Sequence, residues 1–453
     1  MWIKTTYIDA CETSVFLPVE LTQDLNKRAT LVFGARSSAV ALRHHSDLAY
    51  NKDSSYDEPI SIYLSKDLQT RLLLPETQIY RAAIHALDNT LSLGPVIGLL
   101  LGIHNHEYHP RHMQKFSDRF SVYNKIGGLI YAFSSNSISW DESKAYGLYF
   151  NIETNKWEYG VFPLPTVIYR RDFHQPQTVI DHLKETTHGR LFNSYRFSKQ
   201  ELFEIIQQNS ELALTLPETE IIKSFDQLKT FADKHQKVIL KPNNLSRGRG
   251  ICFLEKTGAN YRLSDYRTPP PFDAILKRER GLLQFYNKNT AFHEDYLVQK
   301  CIKLAQIRGA AFDIRVVTQK KNKETWSLSG IECRVSAPDS LVTNISRGGY
   351  ALELDTALWR SFQDQRVVSA LTKQIYEYCL NLCAHLDRTG EHFAELGLDI
   401  GIDEDQKIWL IEANVFPSFK GFKQMDYSKY QKIRYAPLLY ALSLTEFTSL
   451  SDS

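Results

Sequence analysis

The stretch WLIEANVFPS, residues 409–418, decides how the rest of the chain is read. A run of strand-forming apolar residues is broken by Glu412 and Asn414, and side chains two apart on a strand project to one side. A buried carboxylate needs a positive partner. Upstream, Asp399 stands in ELGLDIGID (395–403), and the hairpin-like IDEDQK separates the two strands. Antiparallel pairing sets Asp399 beside Glu412. Two carboxylates and an amide oxygen converging in an apolar setting suit a hard cation, and incomplete protein coordination favours Mg²⁺. The competing reading is a surface hairpin with solvated acids. Leu410, Ile411, Val415 and Phe416 on either side favour the buried one.

Three more stretches precede this pair in a fixed order. VILKPNNLSRGRGI (238–251) puts Lys241 at the end of an apolar strand, followed by Ser246, Arg247, Gly248, Arg249 and Gly250. Glycines let backbone N–H groups close over phosphate oxygens, and the basic side chains supply charge. The order of a Walker loop is absent. YLVQKCI (296–302) breaks its apolar run at Gln299 and Lys300, where backbone groups can face an adenine edge. FDIRVVT, IECRVS and LVTNISRGGY then present Asp313, Arg315, Arg334, Asn344 and Arg347. Arginines there can stabilise a transferring phosphoryl group or hold a carboxylate bidentately. Each stretch alone has an ordinary reading: a glycine turn, a strand end, surface ion pairs.

The whole chain sets the frame. Its 453 residues are enough for two or three domains, and 43% hydrophobic with 23% charged residues is an ordinary globular composition. A net charge of +2 gives no bulk excess for nucleic acid or an anionic membrane, so a small partner is expected and nucleic acid is not. The six cysteines form no CxxC pair, which disfavours zinc and disulfides and fits a reducing, cytoplasmic compartment. No signal-peptide core opens the chain, and the apolar run LSLGPVIGLLLGI (91–103) is too short for a membrane span.

Residues 1–93 alternate short β-rich runs with polar connections and predict a small β-rich module. Residues 94–190 read as a parallel α/β unit: strand GPVIGLLLGI, a helical segment through RHMQKFSDRFSVYNKIG, then strand GLIYAFS. Residues 173–193, polar and rich in His and Thr, read as a linker. Residues 191–453 open with a helix at FSKQELFEIIQQ, capped by Ser198 with Glu201 three residues on. Strands are expected to dominate beyond it, with one long helix near 364–388. The histidine-rich HNHEYHPRH (104–112) reads as a surface loop.

Taken together, the four stretches resemble the ATP-grasp superfamily over roughly residues 191–440. The wording KPNNLSRGRGI, DIRVV and IEANVFPS, with the chain length and β-rich start, resembles its YheC/YheD group of endospore coat-associated proteins. The resemblance implies an α/β (α+β) fold: an ATP-grasp domain preceded by a pre-ATP-grasp α/β domain and the N-terminal module. It implies ATP and Mg²⁺ as ligands, with Lys199 and Lys241 on the nucleotide phosphates. Ser246, Arg247, Gly248 and Gly250 then belong to the phosphate-covering loop, and Gln299, Lys300, Cys301 and Ile302 to the adenine hinge. Asp399, Glu412 and Asn414 match the magnesium ligands. Gly397 stands where many members carry an arginine, so charge stabilisation falls to Arg315 or Arg334, and no ribose-binding acid follows the hinge in KLAQIRGAAF.

The implied activity is a carboxylate–amine ligase working through an acyl phosphate, with Asn344 and Arg347 holding the acceptor carboxylate. The substrate is a small acid or peptide, and the setting is sporulation, with spore coat proteins as partners and the mother-cell cytoplasm as location. The alternative is a coat scaffold that keeps the fold without turnover.

Overall fold

The computed structural model describes residues 1–448 except 23–25, 77, 105–107, 173, 246–248, 269, 294 and 338–347. Ser246, Arg247, Gly248, Asn344 and Arg347 therefore lie outside the described residues, as does part of the histidine-rich stretch.

Period-two patterning dictates the first unit. In Ile60–Ser65 the side chains of Ile60, Ile62 and Leu64 are buried, and in Arg28–Phe33 those of Ala29, Leu31 and Phe33. Seven such strands between Trp2 and Gly94 close into a barrel, which leaves no unpaired edge.

The second sheet is built around Val96–Leu100, where every residue is buried. Such a strand has neighbours on both faces and reads as a continuous apolar run. It pairs in parallel with Leu129–Ser139 and with Val167–Arg170, as the strand–helix–strand pattern predicts. The intervening helix is broken into Pro110–Met113, a 3₁₀ stretch Gln114–Val122 and Tyr123–Ile126.

The expected linker at 173–193 is structured instead. Gln177–Thr186 is a helix that buries Ile180 and Leu183, and Leu191–Phe192 adds an outer parallel strand to the second sheet. Its polar composition comes from the solvent face of an amphipathic helix, which masks the two apolar positions that matter. Barrel and second sheet also share one core: Leu31, Phe33, Leu91 and Leu93 pack with Val96, Tyr131, Ile168 and Leu191.

Two further sheets follow. One is wholly antiparallel, with Thr219–Ile221, Tyr296–Lys300, Lys237–Pro242, Cys252–Thr257, Asn260–Asp265 and Phe272–Leu276 side by side. The other runs in the order Tyr350–Leu352, Trp326–Val335, Ala310–Lys320, Glu395–Ile402, Ile408–Asn414. Its rear face packs Ile314, Val316, Leu398 and Ile400 against Ile375, Cys379 and Leu382 of the long helix Gln365–Asp387.

That helix is where the sequence placed it, but strands do not dominate this half. Lys199–Gln207, Phe225–His235, Arg278–Lys288, Leu354–Phe362 and Tyr427–Ser443 are helical as well. The last of these returns to the second sheet, setting Leu438, Tyr440 and Leu442 against Ile97, Leu99 and Tyr169. No described helix is long and apolar enough to cross a membrane.

Leu382 lies under the site-bearing sheet and is fully buried. Leu382→Ala is expected to cost about 2–5 kcal/mol by leaving a cavity. The measurement is the urea unfolding midpoint of the intact chain; an unchanged midpoint would mean the long helix does not support the sheet.

Candidate active site

Strand pairing brings the predicted residues into one row. Arg315 is in register with Glu332 on one side and Asp399 on the other, and Asp399 is in register with Glu412. Asp313 faces Arg334, and Asn414 lies opposite Gly397. The antiparallel juxtaposition of Asp399 and Glu412 read from the sequence is thus present.

A register shift makes it possible. Asp399 pairs with Glu412 but Ile400 pairs with Leu410, so Ile411 is an extra residue, a β-bulge. Ile408 and Leu410 face the rear core, as do Ala413 and Val415 beyond the bulge. Without the bulge, strict alternation would turn Glu412 and Asn414 into that core with Leu410.

Asp399 is held by arginines. Arg315 donates from Nε and Nη2, the latter at 2.9 Å, and Arg334 Nη2 lies 3.1 Å from Asp399 Oδ2. Arg334 also forks onto Asp313, at 2.7 and 2.6 Å. Burial pushes the Asp399 carboxyl up, but Arg315 and Arg334 outweigh it and hold the group below the usual carboxylate range.

Glu332 belongs to the candidate site as well, and its place there was not expected from the sequence. It is buried, and its Oε2 has no hydrogen-bond partner among the described residues. Burial raises its pKa to about 7, countered in part by Arg315 and Arg334. The two arginines are already balanced by Asp313 and Asp399, so Glu332 has no cation of its own. The signal was available: Glu332 and Arg334 stand two apart in IECRVS, the same spacing that singled out Glu412 and Asn414.

The lysines form the other wall. The predicted capping box is made, with Ser198 accepting from the Glu201 backbone and Glu201 from that of Ser198. It fixes Lys199 at the helix start, where Nζ donates to Pro242 O at 3.0 Å, also bonds Leu245 O, and lies 4.0 Å from Glu412 Oε1. Burial lowers the Lys199 pKa, and Glu412 partly restores it. Lys241 is 6% exposed and donates to Gln299 Oε1 at 2.8 Å. Burial brings its pKa down to about 7, with nearby Lys199 adding to the effect.

The hinge residues divide. Gln299 orients Lys241 and donates to Thr219 Oγ1 at 2.7 Å, so its side chain is engaged. The backbone N–H of Lys300 bonds Glu218 O and that of Cys301 bonds Lys237 O. Gly250 has a packing role: its φ is +78°, and a Cβ there would meet Pro242 Cγ at 2.8 Å. The space at Gly397 is closed too, because a Cβ would meet Pro417 at 2.5 Å. Arg315 Cδ would lie 3.5 Å from the same Cβ, and its Nη1 donates to Ser418 O at 3.4 Å.

Glu412, Asn414, Lys199, Ser198 and Asn243 line a cavity of about 30 Å³, room for about one water. The oxygen donors fit Mg²⁺ chemically. A carboxylate has about four acceptor positions, and Asp399 uses three on arginine N–H groups. Among the described residues no cluster of three or more His, Cys, Asp or Glu is set to hold a metal, so a cation here depends on the Asn414 amide oxygen and on water.

Residues 188–444 match the YheC/D-like ATP-grasp family. The chain belongs to that family. It is 26% identical over 425 residues to the endospore coat-associated protein YheD of Bacillus subtilis (strain 168), covering 90% of this chain and 88% of that one. The endospore coat-associated protein YheC of the same strain is 23% identical, over 68% of this chain and 85% of its own. Among solved structures, the ATP-grasp ligase PsnB complexed with precursor peptide PsnA2 and AMPPNP aligns with 77% of this chain and 98% of its own, at 10% identity and a TM-score of 0.44.

Lys241 gives a pH signature. In the folded chain it loses its proton near pH 7, whereas the unfolded chain keeps it to about pH 10. Between those values the unfolded state binds the extra proton, so stability rises with pH across this window. Lys241→Met removes the titration and is expected to flatten the stability profile from pH 7 to 10 in urea unfolding. Parallel profiles would mean that Lys241 stays charged when folded.

Proposed function

We propose that the protein is an ATP- and Mg²⁺-dependent carboxylate–amine ligase of the ATP-grasp type. The observation that carries this reading is the in-register row Arg315, Asp399, Glu412 facing Lys199. It sets phosphate-binding cations and cation-binding oxygens on one sheet face.

In this reading a substrate carboxylate oxygen attacks the γ-phosphorus of ATP, the bond to the β–γ bridging oxygen breaks, and ADP leaves. An amine then attacks the acyl carbon, phosphate departs, and the amine loses a proton. Such chemistry needs chiefly positioning and charge neutralisation. Lys199 and Lys241 hold the phosphates, and Arg315 and Arg334 stabilise the transferring group. The loop with Ser246, Arg247, Gly248 and Gly250 covers the phosphates, and Gln299 to Ile302 face the adenine. Asn344 and Arg347 hold the acceptor carboxylate. Asp399, Glu412 and Asn414 are the residues to hold Mg²⁺, which when bound neutralises phosphate charge.

Binding requires rearrangement. Lys199 exchanges the carbonyls of Pro242 and Leu245 for phosphate oxygens, because its Nζ is engaged with both and the cavity beside Glu412 has room for about one water. The same two features support the second reading, a scaffold of the spore coat without turnover. The names of YheD and YheC support an association with the endospore coat, with coat proteins as partners; the mother-cell cytoplasm as location and a peptide or small acid as substrate are part of the same proposal.

Calorimetric titration with a non-hydrolysable ATP analogue, with and without Mg²⁺, tests the proposal. Magnesium-dependent binding that Glu412→Gln and Lys241→Ala each weaken about tenfold or more is expected. Absence of binding by folded wild-type protein would leave the scaffold reading in its place.

A further inference from the structure

A cavity of about 260 Å³ opens at the other end of the second sheet. Val96, Thr166 and Arg190 line it, and each stands at or just before the start of a parallel strand. The opposite ends of those strands meet the ATP-grasp half, where Arg170 donates to Ser194 O and Arg171 to Glu395. The cavity is therefore separate from the candidate active site.

Its walls are held in place. The chain's C-terminal segment forms one side: Arg81 Nη1 donates to Phe447 O at 3.0 Å, and His85 Nε2 lies 2.6 Å from Glu446 Oε2. Gly94 lets the Phe447 ring lie close, since a Cβ there would come within 2.6 Å of it. Val32 and Phe447 give an apolar surface.

Residues of opposite charge line the same space. Arg190 is anchored by Nε, which donates to Thr187 O at 3.1 Å, and its two terminal nitrogens have no partner among the described residues. Glu446 engages His85 through Oε2 alone. A cation with a free fork, a carboxylate with a free oxygen and an apolar wall recognise a zwitterion with a short hydrocarbon group.

We propose that this cavity binds a free aliphatic α-amino acid, its carboxylate on Arg190, its ammonium on Glu446 and its side chain against Phe447 and Val32. The proposal is independent of ligase activity.

Titration of the full chain with L-valine, isovalerate, isobutylamine and inorganic phosphate, followed by ligand-observed NMR, is the test. Saturable binding of L-valine is expected, with isovalerate and isobutylamine, each lacking one charge, about tenfold or more weaker. Arg190→Ala is expected to abolish L-valine binding at an unchanged unfolding midpoint. If that variant does not fold, Glu446→Gln, at a side chain 40% exposed, is expected to reduce L-valine to the level of isovalerate. The proposal is overturned by absence of saturable L-valine binding, by equal binding to the folded variants, or by binding of phosphate in its place.

Discussion

The site rests on the buried fork between Arg315 and Asp399. It joins two adjacent strands of the site-bearing sheet, and Arg334 ties a third strand to the same carboxylate. Charges this deep are tolerable only in pairs with good geometry. Because Asp313 answers Arg334, the four groups sum to zero, and the excess carboxyl, Glu332, sits near the boundary of protonation at neutral pH. The pairing also sets a condition on function. Any cation or phosphate that engages Asp399 or its arginines must share or replace contacts that already exist.

From this fork the constraint spreads to the rest of the molecule. Arg315 reaches the turn after the Glu412 strand through Ser418 O, and Arg171 of the second sheet reaches the same turn through Pro417 O at 3.4 Å. Arg171 also bonds Glu395, which accepts from Tyr169 at 2.7 Å and Gln319 at 2.9 Å. Glu395 heads the strand that carries Asp399. The second sheet is thus wired by charge and hydrogen bonds to the strand and turn that aim the site, and the C-terminal helix closes the same junction with apolar contacts. The bulge at Ile411 works within this frame, turning Glu412 and Asn414 to the front while the residues on both sides stay in the core.

Much of this was legible before any coordinates. The antiparallel pairing of Asp399 with Glu412, the Ser198–Glu201 cap and the long helix near 364–388 follow from spacing and local pattern, because each depends on residues near one another in sequence. The helix Gln177–Thr186 was not, since its two core residues are outnumbered by polar ones on the solvent face. Glu332 was not singled out because Arg315, Asp313 and Asp399, which surround it, come from two other strands, and its spacing to Arg334 alone does not reveal its burial.

The sequence by itself determined the fold class, the family and the set of oxygen and basic groups available for chemistry, because composition, alternation and short motifs are local properties of the chain. The tertiary structure alone decided what those groups touch. It gave Asp399 to two arginines, Lys199 to backbone carbonyls and Lys241 to an interior that brings its pKa to about 7. It also assembled the cavity around Arg190 and Glu446 from segments at opposite ends of the chain. Charge state and ligand competence depend on desolvation and on partners distant in sequence, and both exist only once the sheets have packed.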